Sequence, residues 1–599
     1  MEHGSPFGHT RLPSPWFWLA VALAVATIVL GTLAYVQHAP AGLHGATRSP
    51  GGEPHADWSS AIYHGVQLLV LHSPHVEGHV PGLLHVARWL GAAFFFLAGA
   101  LAFAKLFRRE ARLLQLQMPW RQRHVVVCGL GDLGLRLALD GRARGRFVVA
   151  IEQRGALPAV DEAREHGVLV LEGDACDPAV LRKARVGRAE LLVAACDADH
   201  TSVAVAAAVA PLVAGAHRRT PLVCRLLIRD GATRAMLAAH PFFSHAAAGY
   251  RVNVSDLDYC DTAARQALRR HPLDHRPVRA ADATVVRLAV VGCGAMGRGL
   301  ARHAARIGHF ANEAARGVRL AITMVDREPG PGWSEFEAPL AAVCAIEFQA
   351  IDPESPELVE RLAALAANDA LLTCAACVET HREVGPDDAT NFRIGVELAR
   401  RLAGRPAQVL TFQRTNEGFA ALLAAEQRVG LALELHPFGM VEGVYDWDVL
   451  LHESEDALAR ALHEDFLQQR AKGGGPAPLP PWDELSDSLK DSNRQAADHI
   501  AIKLRAVGYH VRPLEPGRPR VERFTDEETL LMAKMEHARW CAERTLDGWT
   551  LGTPSNADRR VNANLVPWDR LDPAERQKDP EQVLAIPGAL LRLGRGIYR

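Results

Sequence analysis

Apolar and polar positions change their period along this chain, and the changes mark out its parts. Pro15 to Val36 carries no charge over 22 residues, with aromatic residues at its start and Tyr35 near its end. That is long enough to cross a bilayer, and interfaces favour aromatic residues at both ends. The spacing predicts a second span within Val80 to Phe107, with its apolar centre from Trp89 to Leu106. Between them, Trp58 to His72 is too short to cross and has the length of a re-entrant or interfacial segment. From His124 the runs shorten: HVVVCG, RFVVAIE, GVLVLEGDA, ELLVAACD and LVCRLLIRD predict five parallel strands, alternating with Ala-rich helices that cover both sheet faces. The order restarts at VVRLAVVGCGAMG, ARGVRLAITMVD, EFQAID and DALLTCAAC. Beyond Leu450 the period is helical, over Leu450 to Lys472, residues 481 to 509 and Leu530 to Gly552, with a Gly/Pro-rich break from Gly473 to Pro481. Ser486 is placed to cap the second of these helices.

The predicted fold class is therefore multi-domain. It comprises an α-helical membrane domain over 1–122 (spans about 15–36 and 83–107, re-entrant helix 58–72) and two α/β Rossmann-like domains over 123–270 and 284–445. A mainly α module follows over 450–599. A length of 599 residues agrees with three or four domains. The net charge of −2 gives no support for a nucleic-acid partner, which would call for a basic face. All ten cysteines lie at or after Cys128, away from the segment placed outside the membrane, which argues against a disulfide framework. Cys374 and Cys377 have redox spacing but end an apolar strand, and core packing is the expectation for them.

The first strand runs into Gly129-Leu130-Gly131-Asp132-Leu133-Gly134 and then a helix. In such a turn the first glycine permits the bend, the second lets backbone approach a phosphate, and the third lets helix pack on strand. Glu152 ends the next strand, eighteen residues after Gly134, where an acid can accept from a ribose hydroxyl; Asp174 follows the third. The candidate nucleotide set is thus Gly129, Gly131, Asp132, Gly134, Glu152 and Asp174. The second copy supplies Gly292, Gly294, Gly297 and Asp326, the last 29 residues after Gly297, with Asp352 where Asp174 stood. The expected cofactor is NAD(H) or another adenine nucleotide; the alternative is that one or both halves only dimerise. Neither half is followed by a proton donor and substrate-binding set, so an enzyme is not expected. Residues 123–235 resemble the N-terminal lobe of regulator-of-K⁺-conductance (RCK) domains. The resemblance implies nucleotide sites at the strand ends, and the tandem implies a gating-ring subunit of a homotetramer.

Lys105, Arg108, Arg109 and Arg112 follow the second span, whereas the loop between the spans holds Arg48 as its sole Arg and no Lys. The positive-inside rule then puts both termini in the cytoplasm of a multi-pass protein of the plasma (inner) membrane, in contact with lipid. Helix, short helix, helix resembles the pore unit of potassium channels, but LLVLHSPHVEG stands where TVGYG is expected. Glu77 is the one carboxylate of the segment Ser73 to His79, and a ring of Glu77 side chains would favour cations by charge. This predicts a poorly potassium-selective path or none. An amphipathic loop on the outer leaflet is the other reading of residues 58–72. Eight histidines lie between His38 and His85, and solvated loop residues are their commoner role.

In the C-terminal module LKDSNRQAADHI, MEHARWCAERTLDGW and NLVPWDRL with a following QKD resemble the ryanodine-receptor repeat (RyR domain) in order and spacing. The resemblance implies a sensing role for a nucleotide-type ligand. Arg494, Glu536, His537, Arg539, Trp540, Arg544 and Trp549 offer planar donors, acceptors and stacking faces for one; core tryptophans amid surface ion pairs are the alternative. Together the parts predict a ligand-gated, channel-like membrane protein, or else a non-conducting anchored sensor or effector.

Overall fold

The computed structural model describes residues 15–38, 58–72, 82–106, 108–118, 123–214, 221–228, 252–256, 258–366, 370–379, 387–413, 434–444, 456–472, 480–485, 487–557 and 559–599, with isolated positions between them that include Trp447. They form two units, Met1–Arg121 and Gln122–Arg599. Glu77, Ser486 and the Gly/Pro-rich break over 473–479 lie outside the described residues.

The first unit comprises α1 (Pro15–His38), α2 (Trp58–Gln67), α3 (Gly82–Leu106) and α4 (Arg108–Gln117). α1 and α3 are both long and apolar enough to cross a membrane. Their large side chains point outward: Trp16, Trp18, Val25 and Val29 on α1, and Trp89 and Phe96 on α3, are exposed. Helices that are apolar all round need lipid or further protein about them. The segment expected to be re-entrant is a ten-residue helix, closed by a 3₁₀ turn over Leu68–Val70 and by Leu71 in the left-handed region. It sits against both spans at backbone distance. A Cβ on Gly65 would lie 2.7 Å from Thr32 Oγ1, one on Gly31 would lie 2.8 Å from Leu68 Cδ1, and one on Gly91 would lie 3.1 Å from the Leu68 carbonyl carbon. Small residues at helix crossings are how apolar helices approach closely without a hydrophobic driving force.

The second unit begins with β1 (Val125–Cys128), α5 (Asp132–Ala143), β2 (Val148–Glu152), α6 (Pro158–Glu165), β3 (Leu169–Glu172), α7 (Pro178–Lys183), β4 (Leu191–Ala194), α8 (Asp199–Ala214), β5 (Leu222–Leu226) and β6 (Val252–Asp256). After α9 (Tyr259–Arg270) come β7 (Val286–Val291), α10 (Ala295–Ile307), α11 (Ala311–Arg316), β8 (Ala321–Asp326), α12 (Trp333–Val343), β9 (Ala345–Ala350), α13 (Glu357–Ala364), β10 (Leu371–Ala376), α14 (Asp388–Arg401), β11 (Ala407–Phe412) and β12 (Leu435–Phe438). The two sheets are parallel throughout and ordered β3-β2-β1-β4-β5-β6 and β9-β8-β7-β10-β11-β12. This is the doubly wound dinucleotide order in both copies, with the crevice where β1 meets β4 and where β7 meets β10. The expected fold class is therefore the observed one. Three strands of these two sheets went unforeseen. β6 (VNVSD) and β11 (AQVLTF) alternate with polar residues, and β12 (LHPF) is short and carries a proline; none reads as a buried apolar run.

The C-terminal module is helical: α15 (Ala457–Lys472), α16 (Asp487–Ala506), α17 (Asp526–Leu546) and α18 (Lys578–Arg592), closed by an antiparallel pair of β13 (His510–Pro513) and β14 (Arg595–Tyr598). Expected from Leu530 to Gly552, α17 in fact starts at a capping box in which Thr525 and Glu528 exchange side-chain and backbone bonds. It ends at Leu546, and Gly548 then takes φ +79°. Trp549 is thus beyond the helix, in the left-handed exit that glycine allows.

Ion pairs join this module to the second sheet. Arg265 of α9 holds Asp456 at 2.7 Å and Asp498 at 2.6 Å, Arg505 holds Asp274 at 2.6 Å, and Arg306 holds Asp547 at 3.2 Å. A second fastening joins the halves. Trp447 is buried, its Nε1 donates to the Leu137 carbonyl at 2.9 Å, and its ring lies where a Cβ on Gly141 of α5 would be. Replacing this peg by alanine leaves a cavity in the core shared by both sheets. Trp447→Ala is expected to cost about 3–5 kcal/mol of stability. Denaturant titration of wild type and variant measures it, and a difference below about 1 kcal/mol contradicts the peg.

Candidate functional site

Each glycine turn lies between the first strand of its half and a long helix. Gly129 takes φ +90° and Gly292 takes φ +105°, a region that L side chains rarely adopt. Gly131 and Gly294 are the extended N-caps of α5 and α10, so the first amides of both helices face outward without partners in their own helix. Gly134 and Gly297 bring helix onto strand: a Cβ would lie 3.5 Å from Val127 Cγ1 in the first and 3.1 Å from Val290 Cγ1 in the second. Asp132 opens α5.

The acids behind the two turns occupy equivalent places. Glu152, buried at 7 % exposure, accepts from Leu130 N at 2.7 Å and from Arg154 N at 3.0 Å. Asp326 accepts from Cys293 N at 2.8 Å and from Arg327 N at 2.8 Å. Each carboxylate therefore holds the glycine turn in shape, and its remaining lone pairs can still accept from a hydroxyl. The longer connection to Asp326 makes no difference to this placement. Asp174, exposed, accepts from Cys176 N at 2.8 Å at the end of β3.

The mouths of the two turns differ. In the first, the one neighbour that a Cβ on Gly131 would meet is Asp197 Oδ1, at 3.7 Å, and Asp197 is paired with Arg154 at 2.9 Å in solvent. In the second, the Glu379 carboxylate accepts from Met296 N at 2.6 Å and from Ala295 N at 3.1 Å. Sequence reading missed Glu379. It lies 83 residues from Met296 and only the β10 crossover brings it there.

The seven residues singled out in the C-terminal module fall into three places. Glu536 and Arg539 are buried with Lys503, His499 and Glu543. Lys503 Nζ donates to Glu536 at 2.7 Å, Arg539 Nε donates to Glu536 at 2.9 Å, and its terminal nitrogen donates to Glu543 at 2.6 Å. Burial raises the Glu536 pKa, but Arg539 and Lys503 outweigh it and hold the carboxyl well below its usual range. Arg494 sits apart, on Asp456 at 2.7 Å and Asp491 at 2.6 Å. His537, Trp540, Arg544 and Trp549 do come together: His537 stacks on Trp540 at 5.9 Å, and Arg544 lies 5.9 Å from the Trp540 ring and 5.0 Å from the Trp549 ring. Trp568 closes the other side of His537 at 5.8 Å. Burial lowers the His537 pKa, yet Asp579, Cys541 and the Val566 carbonyl together raise it to about 10. This half-buried, cationic and aromatic face is what remains of the expected ligand set.

Cys374 and Cys377 are free and buried in β10 and its end, and burial pushes the Cys374 thiol up to about 12. Packing is thus their observed role. Among the described residues no group of His, Cys, Asp and Glu could hold a metal ion.

The sheet order and glycine turns define each half as a dinucleotide-type α/β fold. Comparison with protein families is more specific: residues 125–234 match the TrkA-N domain and residues 520–599 match the RyR domain. The chain thus carries a TrkA-N domain, the N-terminal RCK lobe, and a RyR domain. Curated proteins gave no match. Among solved structures, GsuK bound to ADP is 15% identical, with a TM-score of 0.34, covering 73% of this chain and 97% of that one. The GsuK channel bound to NAD is 13% identical, with a TM-score of 0.34, covering 74% and 84%. Isoflavone reductase is 12% identical, with a TM-score of 0.17, covering 41% and 82%. At these values the functions of those proteins do not transfer to this chain.

Two histidines, His499 where the RyR domain meets the His309 carbonyl and His271 at the end of α9 against His436 of β12, are expected to make the fold sensitive to acid. Burial lowers the pKa of His499 to about 4, and burial with the stacked His436 ring, 4.1 Å away, lowers that of His271 to about 4. Both must be neutral in the folded state. Their contribution is present above the unfolded value near 6.5 and is lost as pH falls from about 6.5 toward 4. The melting temperature is expected to drop over that window and to drop less in His499→Gln, which cannot take up the proton. Melting curves between pH 4 and 7 decide it; identical slopes in the two proteins would contradict the assignment.

Proposed function

We propose that this chain is a membrane-anchored nucleotide sensor of the ligand-gated cation-channel type. An adenine nucleotide, NAD(H) or a relative, binds the first glycine turn with its phosphate on the amides that open α5 and a ribose hydroxyl on Glu152. The single observation that carries this reading is the open mouth at Gly131, with a buried acid already holding the turn behind it. A helix N-terminus with free amides is a ready anion site, because the N–H groups and the helix dipole both favour negative charge. In this reading the residues bind and report; they carry no catalytic chemistry.

The membrane side rests on the two exposed apolar helices and on the short helix that three glycines seat between them. We take both termini as cytoplasmic, from the basic residues after the second span, and a homotetramer as the assembly. Nucleotide that prefers one arrangement of the cytoplasmic halves would shift the membrane helices by that difference in affinity and no more. The aromatic and cationic face at Trp540, Arg544 and Trp549 is the second sensing position, fitted to a planar, anionic ligand. A second reading, a non-conducting anchored sensor, is favoured by LLVLHSPHVEG in place of a carbonyl-lined filter.

Gly131→Asp tests the site by placing a carboxylate where the phosphate would sit. Like charges in contact cost several kcal/mol, so nucleotide affinity is expected to fall by about a hundredfold or more. Calorimetry with ADP and NADH on the full-length protein measures it, and unchanged affinity sinks the reading. Ion flux separates the two classes. Liposomes holding the protein are expected to leak sodium and potassium in similar measure on nucleotide addition. Absent flux favours the non-conducting sensor, and strong potassium selectivity contradicts the pathway read from Glu77.

A further inference from the structure

We infer that the second glycine turn is an anion site already occupied by the chain's own carboxylate, Glu379, which must leave before a nucleotide phosphate can enter. The inference rests on the nucleotide reading of the first turn for its choice of ligand, but its geometry is independent.

The two halves match position by position. Asp197 is the third residue after β4 and Glu379 the third after β10, since those strands end at Ala194 and Ala376. Both acids therefore leave their sheet at the crevice beside a glycine turn. The outcomes are opposite. Glu379 bonds the first two amides of α10, at 3.1 Å from Ala295 N and 2.6 Å from Met296 N, and its Cδ lies 2.6 Å from where a Cβ on Gly294 would be. These are the donors and the close approach that a phosphate uses. Asp197 instead turns into solvent, with its side chain 75% exposed.

Two differences in sequence account for this. Aspartate is one methylene shorter than glutamate and reaches less far over the turn. Arg154, two residues after Glu152, pairs with Asp197 at 2.9 Å, a cation that the second turn does not offer at the matching position. The residue two after Asp326 is Glu328, an exposed acid that can only repel a neighbouring carboxylate. Arg327 beside it is engaged by Asp352 at 3.0 Å and Glu354 at 3.4 Å. Among the described residues no Lys, Arg or His pairs with Glu379, so the helix amides are its stabilising partners. Burial raises its pKa, and the Met296 and Ala295 amides pull it back. A half-buried carboxylate that accepts from two helix amides is held the way a bound anion is.

The two sites therefore differ in kind. The first takes nucleotide directly, and in the second nucleotide competes with a tethered carboxylate. Calorimetric titration of ADP into full-length protein in detergent tests this. All titrations carry Arg544→Ala, which removes the cationic RyR face as a further ADP position. In that background the parent is expected to bind one ADP per chain and Gly131→Asp none. Adding Glu379→Ala to Gly131→Asp, the double variant, is expected to regain one. Two ADP per chain in the parent would overturn the proposal. So would an absence of binding in the double variant when its melting temperature equals that of Gly131→Asp. If Glu379→Ala lowers the melting temperature, Glu379→Gln, which keeps the shape and loses the charge, replaces it. It is then expected to bind at least tenfold more tightly than Gly131→Asp alone, and equal affinity would overturn the proposal. Binding by the double variant without binding by the parent would remove the nucleotide reading of the first turn and leave this one standing.

Discussion

The first amides of a helix have no carbonyls to meet within that helix. Where a glycine turn feeds them straight from a buried strand, water and side chains are the remaining partners, and the rest of each half is arranged around that shortage. Glu152 and Asp326 each use one oxygen to fix the turn. The third glycine lets the helix press on the strand so closely that the amides cannot turn away. Parallel strands bring every loop that could answer them to the same edge of the sheet. Whether the answer comes from inside the chain or from outside is then decided by a single side chain at the neighbouring strand end.

The same economy of contact is seen at the other end of the unit. The RyR domain reaches the second sheet through charge pairs with little exposure as well as through an apolar contact, in which Ile502, Ala506 and Met535 join the core of the second half, and its own core keeps Lys503, Glu536, Arg539 and Glu543 together. Buried ionic contacts add little to stability compared with apolar ones, but they tolerate only one register. Such a seam fixes how the domain sits on α9 and α10.

Much of this was legible locally. Strand, glycine turn and terminal acid lie within some thirty residues in the first copy and some forty in the second, so their spacing predicts their meeting. The two spans are read from composition alone. The polar strands β6 and β11 are hidden in the sequence because a buried parallel strand ordinarily reads as an unbroken apolar run, and these two carry Asn, Ser, Gln and Thr. Glu379 escaped because nothing near it in sequence marks it; its role depends on which strand lies beside β7. Of the seven side chains singled out, five lie in α17, where helical geometry divides them. Glu536, Arg539 and Glu543 share one face at spacings of three and four and turn inward, while His537, Trp540 and Arg544, each one residue further on, are turned about 100° from it, with His537 still buried and Trp540 and Arg544 half-buried at the rim. A residue pattern gives that offset, but it cannot say which of the two faces the rest of the domain covers.

Trp447 carries a consequence for mechanics. It comes from the segment that follows the second sheet and ends against the backbone of α5 in the first, so the two halves share a pin as well as a linker. A pinned pair behaves as a stiff lever: a small displacement at either crevice is carried across both sheets instead of being absorbed at a hinge. Ligand events at the two turns would then not be read separately. They would add as torques on one body, and the sign of their sum, rather than the occupancy of either, would set what the rest of the protein feels.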